Sequence, residues 1–157
     1  MIIRRVKPQD RDAMTAILNE VIAIGGTTAY QKPIGPSHFD RFITPEDDQT
    51  FLHVAEADGE VVGFQWMSPD KEGMGIIATF ARPGTVQRGI GSALFQQTLK
   101  CCRDAGYTLL DATIRADNTG GLAYYSKMGF EDHSVTRAVP LADGTPVDRV
   151  HKRMHLR

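Results

Sequence analysis

The chain has little that would suit it to an oxidising or membranous setting. Its 157 residues include two cysteines. These are neighbours, Cys101 and Cys102, and adjacent residues cannot close an ordinary disulfide with each other. An intrachain disulfide framework is excluded, and a reducing cytoplasm is the expected compartment. No apolar run approaches the length of a membrane span, and Met1-Ile2-Ile3-Arg4-Arg5 lacks the apolar core of a secretory signal, so no membrane partner is expected. A charge excess is missing too. Lys and Arg number 18 against 19 Asp and Glu, a net charge of −1, which argues against nucleic acid as a partner. Among the histidines, His38 and His53 are isolated, while His151 and His155 sit on a strand-like stretch; no metal is predicted. Internal repeats, linkers and low-complexity segments are absent as well.

What is present is ordinary for a globular protein: 41% hydrophobic and 24% charged residues in a length that suits one domain with a sizeable core. Ile2 to Val6 reads as a strand. Gln9 to Ile22 carries Ala13, Ile17, Leu18, Val21 and Ile22 at helical spacing. Gly25 to Pro36 is irregular and long for a connection, which marks it as a ligand-contacting or mobile loop. Ser37 is placed to cap a short helix through Phe42. Phe51 to Ala57 and Val61 to Met67 flank Asp58-Gly59-Glu60, a hairpin signal. Met74 to Ala81 is a strand, and a helix follows as far as Ala105, with Gly106 closing it. In that helix Cys102 continues the stripe of Leu94, Phe95, Thr98 and Leu99, so it reads as a buried hydrophobe. Tyr107 to Ile114 is a strand, Asn118 to Met128 a helix ended by Gly129, and Phe130 to Val135 with Val147 to Leu156 close the chain as strands. A hairpin meander joined to helical crossovers predicts an α/β (α+β mixed) domain over residues 1–157, with helices on both faces of a mixed sheet.

Between the strand at Met74 and the helix after it lies Arg82-Pro83-Gly84-Thr85-Val86-Gln87-Arg88-Gly89-Ile90-Gly91-Ser92. The first amides of a helix have no partner within it, and the helix dipole adds partial positive charge. Gly89 and Gly91 leave no Cβ in the way, so a phosphate can approach the amides of Gln87, Arg88, Gly89, Ile90, Gly91 and Ser92. Arg88 can add a charge-assisted contact. A plain tight turn is the alternative. The dinucleotide fingerprint is incomplete, and no Gly-Lys-Ser/Thr ending is present.

A second motif follows. Asn118 and Tyr125 stand seven residues apart, about two helical turns, and so share one side of their helix. Val86 to Leu94, then Asn118, Tyr125 and Lys127-Met128-Gly129-Phe130, resemble the GNAT superfamily of N-acetyltransferases over about Ile76 to Phe130. The resemblance implies a central, mostly antiparallel sheet and acetyl-CoA as the coenzyme. It also implies roles. Residues 87 to 92 would take the pyrophosphate, Phe80-Ala81-Arg82 would run beside the pantetheine arm, an N–H near Ala81 would face the thioester oxygen, and Asn118 would contact the coenzyme. Tyr125 matches the tyrosine that protonates the departing thiolate. One departure stands out: the family's Gln or Arg three residues before the first motif glycine is Val86 here, which loses a side-chain contact and keeps the amides.

Chemistry supports these roles. An attacking amine must be neutral, a developing oxyanion needs a donor, and a leaving thiolate needs a proton. A tyrosine hydroxyl titrates near 10, close to a thiol. Tyr124 cannot share the role, since one helical step turns a side chain by about 100°. Two carboxylates are candidate bases: Asp111, a lone acid in an apolar strand that otherwise faces solvent, and Glu20, beside the Gly25 to Thr28 loop. Thr27, Thr28 and Tyr30 are expected on the acceptor side. The early region loosely resembles the phosphinothricin and amino-acid branch. That implies a small-molecule amine with an acidic group, met by Arg82 or Arg115, and a homodimer through the C-terminal strands. A non-catalytic acyl-coenzyme sensor would need no tyrosine at 125, and peptide or protein amines are the other acceptor class.

Overall fold

The structure is a computed structural model and describes residues 1–85 and 89–157. Its strands are β1 (Ile2–Arg5), β2 (Phe51–Ala57), β3 (Glu60–Pro69), β4 (Met74–Ala81), β5 (Leu109–Arg115), β6 (Glu131–Pro140) and β7 (Pro146–His155). Its helices are α1 (Arg11–Ile24), α2 (Asp40–Ile43), α3 (Ile90–Asp104) and α4 (Thr119–Met128). The strands form one seven-stranded sheet in the order β1-β2-β3-β4-β5-β7-β6. Every pairing is antiparallel except β4 with β5. The mixed, mostly antiparallel sheet with helices on both faces is the expected architecture.

Period-two alternation sorts the strand residues between two helical layers. Leu52, Val54, Phe64 and Trp66 face α1 and α2, where they meet Met14, Ile17, Leu18, Phe39 and Phe42. Phe51, Met67, Ile77, Leu110 and Ala112 face α3 and α4 and pack on Phe95, Cys102, Tyr125 and Phe130. Cys102 is fully buried there, and burial pushes its thiol up to about 12.

Local chemistry sets the ends of the elements. Asp58 and Gly59 both have positive φ, 51° and 78°, as a two-residue hairpin with matching twist requires. Asn118 caps α4 by accepting from the Gly121 amide at 2.9 Å, and Gly129 ends that helix at φ 105°. Ser37 is no cap. Pro36 starts a short 3-10 turn, Pro36–Phe39, with Gly35 before it and no side-chain cap, because the proline ring already presets the first helical φ. β6 runs longer than expected, to Pro140 rather than Val135, while β7 keeps its expected length one residue earlier. β6 is exposed along nearly its whole length, so Thr136 to Pro140 carry no apolar alternation to reveal them.

Candidate active site

The site begins where two strands part. β4 and β5 pair only from Met74/Leu109 to Ile76/Asp111, although β4 continues to Ala81 and β5 to Arg115. The Arg82 amide donates to the Val62 carbonyl at 2.8 Å, in line with the Phe64↔Phe80 register. Antiparallel alternation then turns the N–H and C=O of Ile77, Thr79 and Ala81 away from β3, toward the gap. On β5 the Ala116 amide bonds the Asp148 carbonyl, and the same count turns the backbone of Thr113 and Arg115 toward the gap from its other side. Backbone groups demand partners. An extended ligand that carries its own amides can supply them.

At the open end of the gap stands the start of α3. Gly89 precedes the helix at φ 72° with no side-chain cap, and the first helical bond is Ala93 N–H to the Gly89 carbonyl, 3.1 Å. The amides of Ile90, Gly91 and Ser92 therefore precede the helical ladder and suit an anion. The Ile90 side chain itself belongs to the core, 2% exposed. Gln87 and Arg88, expected in the same cradle, lie outside the described residues, as does Val86.

Tyr125 is buried on α4, and its hydroxyl lies 2.8 Å from Thr79 Oγ1, three residues past the last β4–β5 pair. Burial raises the Tyr125 pKa, with the Thr79 bond working the other way, so the phenol keeps its proton at neutral pH. Tyr124 does something else. It donates to the Gly91 carbonyl at 2.7 Å, accepts from Gln65 Nε2 at 3.0 Å, and burial pushes it up to about 12.

Across the sheet, Asp111 does not face solvent. It is 4% exposed, accepts from Arg153 Nε and Thr113 Oγ1, each at 2.9 Å, and lies beside Ile76 at the parting point. The ion pair with the facing β7 arginine explains why a strand so apolar tolerates an acid. Glu20 is exposed on α1. Phe80 packs into the α1-side aromatic cluster with Phe64 and Trp66. Ala81 ends β4, and the Arg82 guanidinium is turned to Glu60 and the Val61 carbonyl.

The loop after α1 reaches the same mouth. Asn118 Nδ2 donates to the Thr27 carbonyl at 3.1 Å, and Arg115 donates to the Thr28 carbonyl at 2.9 Å. Thr28 Oγ1 accepts from the Tyr30 amide, and the Tyr30 hydroxyl contacts His38 Nε2 at 3.2 Å. Asn19 pins the far end of the loop through two bonds to Ile34. The structure thus brings Thr27, Thr28, Arg115 and Asn118 together at the mouth, with Tyr125 and Asp111 deeper in, on opposite faces. It leaves Glu20 and the Arg82 side chain apart.

Residues 18–130, which span this site, match a family model for the acetyltransferase (GNAT) family. The chain belongs to the GNAT family. Mycothiol acetyltransferase of Clavibacter sepedonicus is 33% identical over 89 residues, 57% of this chain and 29% of that protein. The chain spans about a third of the length of such curated relatives. YwnH of Bacillus subtilis, provisionally named a phosphinothricin acetyltransferase, is 25% identical over 94% of each chain. A GNAT phosphinothricin acetyltransferase from Sinorhizobium meliloti, solved with acetyl-CoA, superposes with a TM-score of 0.88 at 22% identity, covering 99% of this chain and 88% of that one. Among the described residues no helix is long and apolar enough to cross a membrane, and no cluster of potential metal ligands occurs.

Two residues at the centre of this GNAT site escape a reading of the sequence. Thr79 and Gln65 look like polar interruptions of apolar strands, and their partners on α4 lie 46 and 59 residues away. Only the β3–β4 register and the placement of α4 unite them.

Proposed function

We propose that the protein transfers the acetyl group of acetyl-CoA to the primary amine of a small, amino-acid-like molecule. The observation that carries this reading is the buried Tyr125 hydroxyl at the point where β4 and β5 part, beside a row of inward-turned backbone amides. The coenzyme fits these residues. First-turn amides of α3, from Ile90 to Ser92 with Gly89 bare before them, take the pyrophosphate, and Gln87 and Arg88 belong to the same stretch. Backbone groups of Thr79 and Ala81 take the pantetheine arm. Asn118, whose side chain caps α4 and holds Thr27, orders the mouth between coenzyme and acceptor.

Acetyl-CoA, when bound, supplies an activated thioester. Because the anionic end sits at α3, outside the open end of the gap, the reacting end belongs toward the parting point. There Tyr125 Oη holds the proton that a departing thiolate needs. Asp111, on the opposite face, is the carboxylate placed to take the amine's proton, and exposed Glu20 is the weaker candidate. Thr27, Thr28 and Tyr30 border the acceptor. Both arginines are paired, Arg82 with Glu60 and Arg115 with Asp117, and Arg115, which also holds the Thr28 carbonyl at the mouth, is the better-sited cation for an acidic group on it. The names of YwnH and of the Sinorhizobium enzyme support an acceptor of this type. A second copy of the chain would pair through the exposed β6–β7 hairpin.

The test is thiol release from acetyl-CoA with a chromogenic thiol reagent, across free amino acids, phosphinothricin, methionine sulfone, polyamines and peptides. Release is expected with small acidic amines. Release with peptides alone would move the acceptor to protein, and no release despite a coenzyme-induced rise in melting temperature would favour a sensor.

A further inference from the structure

We infer that Thr79 and Gln65 are positioning residues that turn the Tyr125 proton away from the protein and into the gap. The inference rests on the reading of Tyr125 as the proton donor.

Counting donors along one buried chain fixes the direction of every bond but the last. A carbonyl only accepts, so at the Gly91 carbonyl, 2.7 Å away, Tyr124 must donate its single proton. Toward Gln65, at 3.0 Å, the Tyr124 oxygen can then only accept, which requires Gln65 to present its Nε2. That nitrogen also lies 2.8 Å from Thr79 Oγ1, which takes its second N–H. Thr79 has one proton of its own. Its remaining partner among the described residues is Tyr125 Oη, 2.8 Å away. Either hydroxyl could donate across that bond, but one that already accepts from an amide is polarised into the stronger donor, so Thr79 is assigned as donor and Tyr125 as acceptor, which leaves the phenolic proton without a partner among the described residues.

The orientation is costly elsewhere. Gln65 is fully buried, and its Oε1 has no hydrogen-bond partner among the described residues. A flipped amide would satisfy Thr79 but set Oε1 against the Tyr124 oxygen, acceptor on acceptor. An unpaired buried acceptor is kept where it serves something else. Here it keeps an N–H of Gln65 on Thr79, so that the Thr79 hydroxyl is turned toward Tyr125. Once the phenol has given up its proton, the same Thr79 hydroxyl steadies the phenolate with a charge-assisted bond. The chain starts on the Gly91 carbonyl in the first turn of α3, so the helix that meets the phosphates also orients the acid.

Kinetics and neutron diffraction test this together. Thr79→Val should lower kcat about 10- to 100-fold, the worth of a hydrogen bond to a charged group, with KM for acetyl-CoA within about twofold. Thr79→Ser should restore kcat to within about threefold of wild type. In deuterated, coenzyme-free crystals the deuteron between Thr79 and Tyr125 should be bonded to Thr79, with the Tyr125 deuteron off that line. A Tyr125 deuteron aimed at Thr79 overturns the inference. So does a Thr79→Val loss that Thr79→Ser fails to restore, which would mark simple packing. Full kcat in Thr79→Val alongside a collapsed Tyr125→Phe overturns the positioning role alone. Full kcat in Tyr125→Phe overturns the donor reading beneath it.

Discussion

Asp111→Asn separates the two roles open to the acid on β5. The carboxylate accepts from Arg153 Nε and Thr113 Oγ1, both at 2.9 Å, and is 4% exposed. Asparagine keeps the shape and one acceptor but sets an NH2 against one of these donors. Breaking a fully buried ion pair by removing one partner costs about 3–5 kcal/mol. The Arg153 side chain is 27% exposed and can turn to water, so the loss should be nearer that of one charge-assisted bond, about 2 kcal/mol. For a domain of this size that lowers the melting temperature by about 4–8 °C. If Asp111 also takes the amine's proton, kcat should fall about 100- to 10,000-fold beyond what stability explains. Arg153→Gln is the control. It removes the clamp and leaves the acid, so it should reproduce much of the thermal loss while kcat stays within about fivefold. The measurements are calorimetric melting and steady-state thiol release well below the transition. A destabilised Asp111→Asn that turns over like wild type would refute the proton-acceptor role and leave Asp111 as the tie between β5 and β7.

Two further outcomes bear on the cradle and on acid stability. Gly89→Val places a branched residue at φ 72°, where nothing among the described residues lies within 4 Å of the new Cβ, so the cost is backbone strain of about 1–2 kcal/mol. Calorimetry should show weaker acetyl-CoA binding, and unchanged affinity would mean that the phosphates are held elsewhere. Arg4 forks Asp10 at 2.8 and 2.9 Å while the Lys7 amide adds a third bond. Burial works against the carboxylate, but these donors prevail and hold its pKa below the ordinary value. That stabilisation is complete above the unfolded pKa of about 3.9 and is lost as pH falls through the lower folded value. Arg4→Met should therefore shift acid unfolding to higher pH in urea titrations, and an unmoved acid limb would show that the fork contributes nothing.

Much of the fold could be read from local chemistry because the signals were local. Asp58-Gly59 adopts the positive φ angles that its hairpin needs, and the Met74 to Ala81 strand has the boundaries its β-branched run implies. Asn118 and Gly129 bracket α4 as their cap preferences dictate. Where the signal was tertiary it was silent. Asp111 looked fit for solvent because Arg153, its partner, lies 42 residues on and becomes a neighbour only through the β5–β7 register. Gln65 and Thr79 gain meaning only when α4 lies across β3 and β4. Tyr125 was singled out by its match to the GNAT motif, whereas the direction proposed for its proton needed the whole chain of donors.

The gap between β4 and β5 is made of main chain, and every residue type carries the same main chain. A recognition surface of this kind has no side chains to lose. Mutational drift can rewrite the strands so long as their alternation and the point of parting survive. On this reasoning the coenzyme half of the molecule is free to diverge in sequence without changing its ligand. On the proposed reading, selection for a new acceptor would then fall on a few groups at the mouth, the Thr27 to Tyr30 loop and the two side chains, Arg115 and Asn118, that hold it.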